Sequence, residues 1–336
     1  MDPGNWQGRI DSEKNFENFR WHQWVKPLDL TDESRDPNNG LGFAFLGFKS
    51  DEGIRRNKGR VGASKGPQSI RSQLSNLPCF FTEDVALLDA GDIVCEDGDL
   101  EKSQQELSRA VEHILSLELF PIILGGGHET ALGHYLGIQK YLKAQNRSEQ
   151  IGIFNIDAHF DLRPYDQGGN SGSMFRQIAD DHQRKGSPFS YFCAGIQKYG
   201  NTIALFKTAK KLGVQYILAR DLIDQCDQDI ESDITPFLQK NDVIYLTVCA
   251  DVFSSAFAPG VSAVQPLGLD PEIAIKIIKL LIASNKVISF DISEVSPRFD
   301  HDHITASLAK VLIFSVVNAH CLNYGQLKEI EEDSSY

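Results

Sequence analysis

The sequence predicts an α/β domain built on a mostly parallel sheet with helices covering both faces. Two observations lead to this prediction: apolar runs of strand length alternate with helical stretches, and those runs are continuously apolar along their length. Strands buried on both faces of a parallel sheet have this character. The chain has 336 residues, of which 41% are hydrophobic, so it can bury a large core. We see no internal repeat and no Pro/Ser-rich linker, which favours a single domain.

The predicted α/β domain spans residues 41–325. Residues 1–40 are polar and rich in Asp, Asn, Pro and Trp, so we expect an N-terminal arm with little regular structure that packs on the domain or on a neighbouring subunit. Residues 326–336 form an acidic C-terminal tail.

Strands and helices follow one another through the domain. The predicted strands are residues 41–48, 85–90, 121–124, 151–154, 189–194, 215–219, 243–249 and 286–292. The predicted helices are one beginning near Pro67, then 102–117, one ending near Lys143, 203–212, 271–283 and 305–322, the last capped by Asp302.

Charge and cysteine spacing exclude several classes of function. The formal net charge is -13, which disfavours nucleic acid and anionic membranes as partners and leaves small molecules and proteins. No apolar run comes near the roughly 20 residues that span a bilayer, and the N-terminus lacks a signal-peptide pattern. The six cysteines are scattered without a CxxC pair, as in the reducing cytoplasm, where we expect the protein to reside.

One stretch after a buried strand carries three metal-type donors. Asp157, His159 and Asp161 follow the apolar residues 151–154, and strand alternation would point all three to one face. Carboxylates beside an apolar strand must be paired, neutralised or coordinated. The alternative is an Asp-His hydrogen bond beside a helix-capping Asp.

Three other predicted strands also end in candidate ligands. His128 follows residues 121–124 and three glycines, a turn that could instead cradle phosphate but lacks a P-loop pattern. Cys249 and Asp251 follow another strand, and Glu294 a fourth. Alone, Cys249 could be a small buried hydrophobe and Glu294 a surface or capping carboxylate.

Together these strand ends predict a metal centre, because ligands of parallel sheets bind at the carboxyl ends of strands. Oxygen and imidazole donors in this mixture suit manganese better than zinc or iron, and their number permits two ions that share a carboxylate. Such a centre is typical of a hydrolase.

These motifs resemble those of the ureohydrolase (arginase/agmatinase) family. The matching stretches are Gly-Gly-Gly-His128-Glu, Asp157-Ala-His159-Phe-Asp161, Cys249-Ala-Asp251 and Asp291-Ile-Ser-Glu294. The resemblance covers almost everything after the N-terminal arm. It implies an arginase-like three-layer α/β/α sandwich, two Mn²⁺ per subunit, and metal ligands His128, Asp157, His159, Asp161, Cys249 and Asp251. Family members are commonly oligomeric, but nothing in the sequence marks an interface, so a homo-oligomer remains an open expectation.

Within the family, the loops are similar to those of the formimidoylglutamase branch. Asp161-Leu162-Arg163 and Ser171-Gly-Ser-Met-Phe175-Arg176-Gln fit that branch, whereas a histidine near Phe175, as in arginases, and the Ser-His-Gly of agmatinases are absent. The resemblance implies hydrolysis of N-formimidoyl-L-glutamate to L-glutamate and formamide, a step of histidine degradation, by attack of metal-bound hydroxide on the formimidoyl carbon. Another ureohydrolase, of guanidino or agmatine type, is the alternative.

The substrate that this branch implies is a dicarboxylate, and the predicted site residues suit it. Arg163 and Arg176 would bind its carboxylates with Ser171 nearby, unless either arginine makes a structural ion pair. Glu294 would pair with the amidinium nitrogens and Asp251 would relay a proton to the leaving amine.

Cys249 departs from the family pattern, which has an Asp there. A thiolate prefers zinc or iron to manganese, and a neutral thiol scarcely binds a hard ion. We therefore expect one of the two metal sites to be weaker. Two alternatives from other functional classes are a metal-dependent deacylase and a non-catalytic metal-binding descendant of the family. The sequence lacks the His-His acid/base pair that a deacylase usually needs.

Overall fold

A nine-stranded sheet of parallel strands organises the molecule. The structure is a computed structural model and describes residues 6–32 and 35–328. The strand order is β1-β3-β2-β4-β9-β8-β5-β6-β7, and every pair of neighbouring named strands is parallel. The strands are β1 (Lys26–Pro27), β2 (Gly42–Lys49), β3 (Ala86–Val94), β4 (Phe120–Leu124), β5 (Ile151–Ile156), β6 (Tyr191–Ile196), β7 (Gln215–Leu218), β8 (Val243–Cys249) and β9 (Val287–Ser293).

Eleven α-helices connect and cover these strands in the described part of the chain. They are α1 (Trp21–Trp24), α2 (Glu52–Arg56), α3 (Gly66–Leu74), α4 (Leu100–Ser116), α5 (Thr130–Ala144), α6 (Met174–Lys185), α7 (Ile203–Lys211), α8 (Ala219–Asp224), α9 (Asp227–Lys240), α10 (Pro271–Ala283) and α11 (Ile304–Asn323). The predicted α/β/α sandwich with a mostly parallel sheet is confirmed.

The apolar strands fill two core layers, one on each face of the sheet. Along β2, Phe43 and Phe45 belong to one hydrophobic cluster, whereas Ala44 and Leu46 belong to the other. Both sets are buried, which explains why the sequence of β2 is continuously apolar.

Helix starts follow local chemistry. Pro271 is the first residue of α10, and the Asp270 carboxylate accepts the backbone N–H of Glu272 at 2.9 Å. At α11 the predicted cap Asp302 was wrong. Asp300 instead accepts the backbone N–H groups of Thr305 and Ala306 at 2.9 and 3.1 Å, because the chain turns through His303 in a left-handed conformation first.

The N-terminal arm packs on the domain and adds a strand that the sequence did not predict. Trp6, Phe16 and Trp21 are buried in the core, and the Trp6 indole N–H donates to the Asp89 carboxylate. The short strand β1 pairs with β3 at the sheet edge. Of the predicted tail, only residues 326–328 lie within the described residues.

Helix α11 is longer and more apolar than the sequence analysis allowed. An 18-residue stretch of this 20-residue helix has a mean hydropathy of 1.5, so the helix could cross a membrane by length and composition. However, 56% of that stretch is buried inside the protein, and α11 packs against α10 and α3. Its apolar character therefore also suits a helix of the protein core.

Candidate metal centre and active-site cleft

Four neighbouring strands bring the predicted ligands to one edge of the sheet. β4, β9, β8 and β5 are adjacent in the strand order. The segments at or beyond their carboxyl ends carry, in that spatial order, His128, Glu294, Cys249 with Asp251, and Asp157 with His159 and Asp161. The ends of parallel strands thus form the site, as expected for an α/β sheet.

The glycines before His128 allow close approach of the backbone. A Cβ atom on Gly126 would collide with the backbone carbonyl oxygen of Ser50. Gly125, Gly126 and Gly127 all lack a positive φ, so close approach rather than a left-handed turn requires glycine at Gly126. The turn places His128 against the ends of β5 and β8.

His128 is buried and faces two carboxylates. Its Nδ1 lies 3.0 Å from Oδ2 of Asp161 and 3.1 Å from Oδ2 of Asp157. Ligand atoms of His128, Asp157 and Cys249 lie within 4.8 Å of one another. Burial opposes protonation of the imidazole, but both carboxylates outweigh it and raise the pKa of His128 well above its ordinary value. We call His128, Asp157, Asp161 and Cys249 the His128 group.

A second set of donors surrounds His159. Its Nδ1 lies 3.3 Å from Oδ2 of Asp251 and 3.6 Å from Oδ1 of Asp157. Ligand atoms of these residues also lie within 4.8 Å of one another, and we call Asp157, His159 and Asp251 the His159 group. Asp157 belongs to both groups, with one oxygen turned to each histidine.

A loop, rather than strand alternation, brings Asp157, His159 and Asp161 together. β5 ends at Ile156, so the predicted strand parity was wrong for these residues. Asp161 has a φ of 49°, in the left-handed region that non-glycine residues rarely adopt. This conformation accompanies the turn of its carboxylate toward His128, and such strain is frequent at functional sites.

The donor set fits a divalent cation. Burial, and then the charge of Asp157, raises the pKa of Asp161 to about 6. The buried Oδ1 of Asp251 has no hydrogen-bond partner. A cation held by these oxygens and imidazoles would offset the carboxylate repulsion and supply the missing partner.

Cys249 is buried at the end of β8, near the carboxylates of Asp157 and Asp251. Burial, followed by the charge of Asp157, raises the pKa of its thiol well above the ordinary value. Without a cation the thiol therefore stays protonated, and it is a poor donor for a hard ion.

Glu294 is buried. This burial argues against the alternative that Glu294 is a surface carboxylate, which the sequence analysis left open. Its Oε1 accepts the backbone N–H of His128 at 3.0 Å, and its Oε2 has no hydrogen-bond partner. Burial, and then the charge of Asp251, raises the pKa of Glu294 well above its ordinary value. Glu294 has a φ of 68° and forms part of the cleft wall.

Both ligand groups open into a small cleft of about 120 Å³. Its lining comprises Asn57, Gly59, His128, His159, Asp161, Arg163, Ser171, Gly200, Asn201, Leu205, Cys249, Asp251, Ser262, Ala263 and Glu294. A larger and more open hollow lies between Asp51, Lys65 and Arg298, and none of the predicted site residues lines it.

Of the two arginines that the sequence predicted to bind substrate, Arg163 lines the cleft and Arg176 does not. Arg163 is exposed, lines the cleft, and has no ion-pair partner within the described part of the chain. Arg176 does not line the cleft. Its Nε donates to the Asp180 oxygens at 2.9 and 3.1 Å, one helical turn away. Arg176 thus makes a structural ion pair, contrary to the predicted substrate contact.

Ser171 lies at the cleft wall, where the sequence predicted it. It is 9% exposed, and its hydroxyl accepts a hydrogen bond from the Asn57 amide at 3.3 Å. Sequence reasoning missed Asn57 and Asn201 as lining residues. Asn201 lies in the loop after β6, which is a signal that could have found it, whereas Asn57 is separated from the end of β2 by α2.

The sequence model of the arginase family matches residues 41–318 of this chain. The chain belongs to the arginase family.

Curated relatives within the arginase family are closely similar over nearly the whole chain. A protein of Clostridium tetani (strain Massachusetts / E88) named formimidoylglutamase is 56% identical over 322 residues, which cover 95% of both chains. Another with that name, from Geobacillus sp. (strain WCH70), is 45% identical and covers 92% of both chains.

Solved structures show the same arginase-family fold. Formimidoylglutamase from Bacillus subtilis has a TM-score of 0.78 at 24% identity, with 96% of this chain and 98% of that chain covered. Trypanosoma cruzi formiminoglutamase, determined with Mn²⁺, has a TM-score of 0.75 at 22% identity, with 88% of this chain and 98% of that chain covered.

Proposed function

We propose that this protein hydrolyses N-formimidoyl-L-glutamate to L-glutamate and formamide. One observation carries the proposal: an arginine without an ion-pair partner among the described residues stands at a cleft whose floor holds two ligand groups and the buried Glu294. A substrate with a carboxylate at one end and an amidine at the other suits this arrangement. The names of the relatives at 45% and 56% identity support it.

Arg163 would bind and orient a substrate carboxylate. Its guanidinium offers a planar fork of donors and is always charged, and carboxylates pair with it bidentately. Ser171 stands on the same wall and adds a hydroxyl. The reactive end of the substrate then points to the ligand groups.

Glu294 would hold the formimidoyl group. Its free Oε2 is available to accept N–H donors from the amidinium, and a positive amidinium favours the ionised form of this carboxyl. Water then adds to the formimidoyl carbon, the bond from that carbon to the glutamate nitrogen breaks, and that nitrogen takes a proton. Asp251 is the residue we assign to deliver the proton, because its carboxyl group lines the cleft beside His159.

The His128 and His159 groups would each hold one Mn²⁺, with Asp157 shared. Bound ions would supply positive charge that makes water a better nucleophile near neutral pH. The presence of Cys249 in the His128 group leads us to propose that this ion is held more weakly than the other. We further propose that the enzyme acts in the cytoplasm, in the degradation of histidine.

A guanidino or agmatine-type activity is not favoured, because the relatives at 56% and 45% identity are named formimidoylglutamase. Agmatine is a cation without a carboxylate, and Arg163 would repel it. Turnover of formimidoylglutamate, L-arginine, agmatine and 4-guanidinobutyrate by the Mn²⁺-loaded protein tests the proposal. We expect kcat/KM for formimidoylglutamate to be at least about 100-fold above that of each other compound. Preference for agmatine or arginine would contradict it.

A further inference from the structure

Four buried polar side chains connect His128 to the protein core behind the metal ligands. Thr247 and Tyr245 lie on β8, Asp291 on β9 and His134 on α5, and the side chains of all four have no exposed surface. Buried polar groups are costly unless each is hydrogen-bonded. Each of these four side chains is hydrogen-bonded, and the hydrogen bonds connect the core to His128.

Thr247 is the link to His128. Thr247 and Asp291 are opposite one another in the β8–β9 register. The Thr247 Oγ1 lies 2.6 Å from Oδ1 of Asp291 and 3.0 Å from Nε2 of His128. A hydroxyl has one proton to donate, so the direction of one bond decides the direction of the other.

Asp291 decides that direction. Its Oδ2 accepts from Nδ1 of His134 at 2.6 Å and from the Tyr245 hydroxyl. Burial, and then the charge of Asp291, raises the pKa of Tyr245 well above its ordinary value, so the phenol remains a donor. The carboxylate therefore accepts from all three neighbours, and the Thr247 proton points to it.

With its proton given to Asp291, Thr247 can only accept from His128. Nε2 of His128 must then carry a proton, so the nitrogen without a proton in the neutral imidazole is Nδ1. The other nitrogen, Nδ1, is the one that faces Asp157 and Asp161. A histidine that binds a metal uses a lone pair on one nitrogen, and a hydrogen bond at the other nitrogen selects which one is free.

We propose that Asp291 is a positioning residue which, through Thr247, keeps the proton of His128 on Nε2 and leaves the Nδ1 lone pair free for a cation. This inference rests on the proposed function, since it concerns the metal centre of that hydrolase. His134 anchors the arrangement: α5 begins two residues after His128, and the His134–Asp291 bond ties that helix to β9.

Manganese binding to the full-length protein tests the proposal, with free Mn²⁺ measured by electron paramagnetic resonance. The titration of a His128→Asn variant identifies the binding step that depends on His128. We expect Thr247→Val and Asp291→Asn each to weaken that step by about 10-fold to 100-fold and to leave the other step unchanged. Thr247→Ser keeps the hydroxyl and should bind Mn²⁺ as the wild type does.

Ser289→Ala is the matched control. The Ser289 hydroxyl contacts Nε2 of His134, at the far side of the same cluster, and does not contact His128. Its removal should leave both binding steps unchanged. A general loss of structure would instead weaken both steps and lower the unfolding temperature of the metal-free variants.

The outcomes distinguish this inference from the proposed function. Two binding steps that Thr247→Val and Asp291→Asn leave intact would overturn the inference alone, as would equal weakening of both steps. Selective weakening of the His128 step, without turnover of formimidoylglutamate by the wild type, would support the inference and contradict the proposed function. Absence of any Mn²⁺ binding by the wild type would overturn both.

Discussion

Glu294 is fixed to His128 through only one of its two carboxylate oxygens. Oε1 accepts the backbone N–H of His128 at 3.0 Å, whereas Oε2 has no hydrogen-bond partner. The turn that leads into α5 thus orients an acid that follows β9 without satisfying it. A buried acceptor that is held in place and left free is suited to bind a donor from substrate.

Glu294→Gln should impair turnover and spare metal binding. Glu294 belongs to neither ligand group, and the amide keeps the size of the side chain while losing the negative charge. We expect kcat/KM for formimidoylglutamate to fall by about 100-fold or more. Unchanged Mn²⁺ stoichiometry in a titration is the internal control. A variant with wild-type kinetics would contradict the assigned role.

Arg163→Ala should raise the KM for formimidoylglutamate by about 10-fold to 100-fold, the effect of losing a charge-assisted hydrogen bond. Arg176→Ala provides the comparison, because Arg176 pairs with Asp180 outside the cleft. Its KM should stay within about twofold of wild type. Equal effects of the two substitutions in steady-state kinetics would argue against the distinction between them.

Cys249→Asp should tighten Mn²⁺ binding. Burial keeps the thiol protonated, whereas a carboxylate offers a hard, charged oxygen at the same position. We expect the weaker dissociation constant to fall by about tenfold or more in an isothermal titration, with Cys249→Ser as the neutral control. Identical stoichiometry and affinity in wild type and Cys249→Asp would refute the idea.

The metal-free protein should lose stability as pH rises from about 4 to about 7. Burial raises the pKa of Asp161 to about 6 and that of Glu129 to about 7. A carboxyl whose pKa rises on folding stabilises the folded state below its unfolded pKa, and this contribution is lost as pH increases through the folded pKa. The raised pKa values of His128 and His159 extend the loss of stability above pH 6.5, whereas the lowered pKa of His320, about 4, opposes the loss below that pH.

Thermal unfolding in the presence of a chelator measures this dependence. The midpoint should be higher at pH 5 than at pH 7.5, and Glu129→Gln should reduce the difference because it removes one of these groups. Saturating Mn²⁺ should reverse the trend, since protons compete with the cation for the same ligands. A midpoint that increases with pH under chelation would contradict the assigned pKa shifts.

The sequence predicted the fold and the meeting of the candidate ligands at one sheet edge because both depend on local patterns. Continuous apolar runs located the central strands, and donors immediately after those runs had to meet at one sheet edge. The edge strand β1 was not predicted, because it has only two residues and one of them is Pro27. Two residues carry no periodicity.

Other features depend on pairings that no local pattern encodes. The link from His128 through Thr247 to Asp291 requires the β8–β9 register and the packing of α5 on the sheet. Arg176 illustrates the opposite case. Its partner Asp180 is four residues away on α6, a helical spacing that favours ion pairs and was visible in the sequence.

Identification of the products of formimidoylglutamate hydrolysis is the decisive test of the proposed reaction. The Mn²⁺-loaded protein and substrate can be followed by proton NMR in a single reaction. We expect equal amounts of L-glutamate and formamide, because the bond from the formimidoyl carbon to the glutamate nitrogen breaks. Release of ammonia with N-formylglutamate, or no reaction at full metal occupancy, would contradict it.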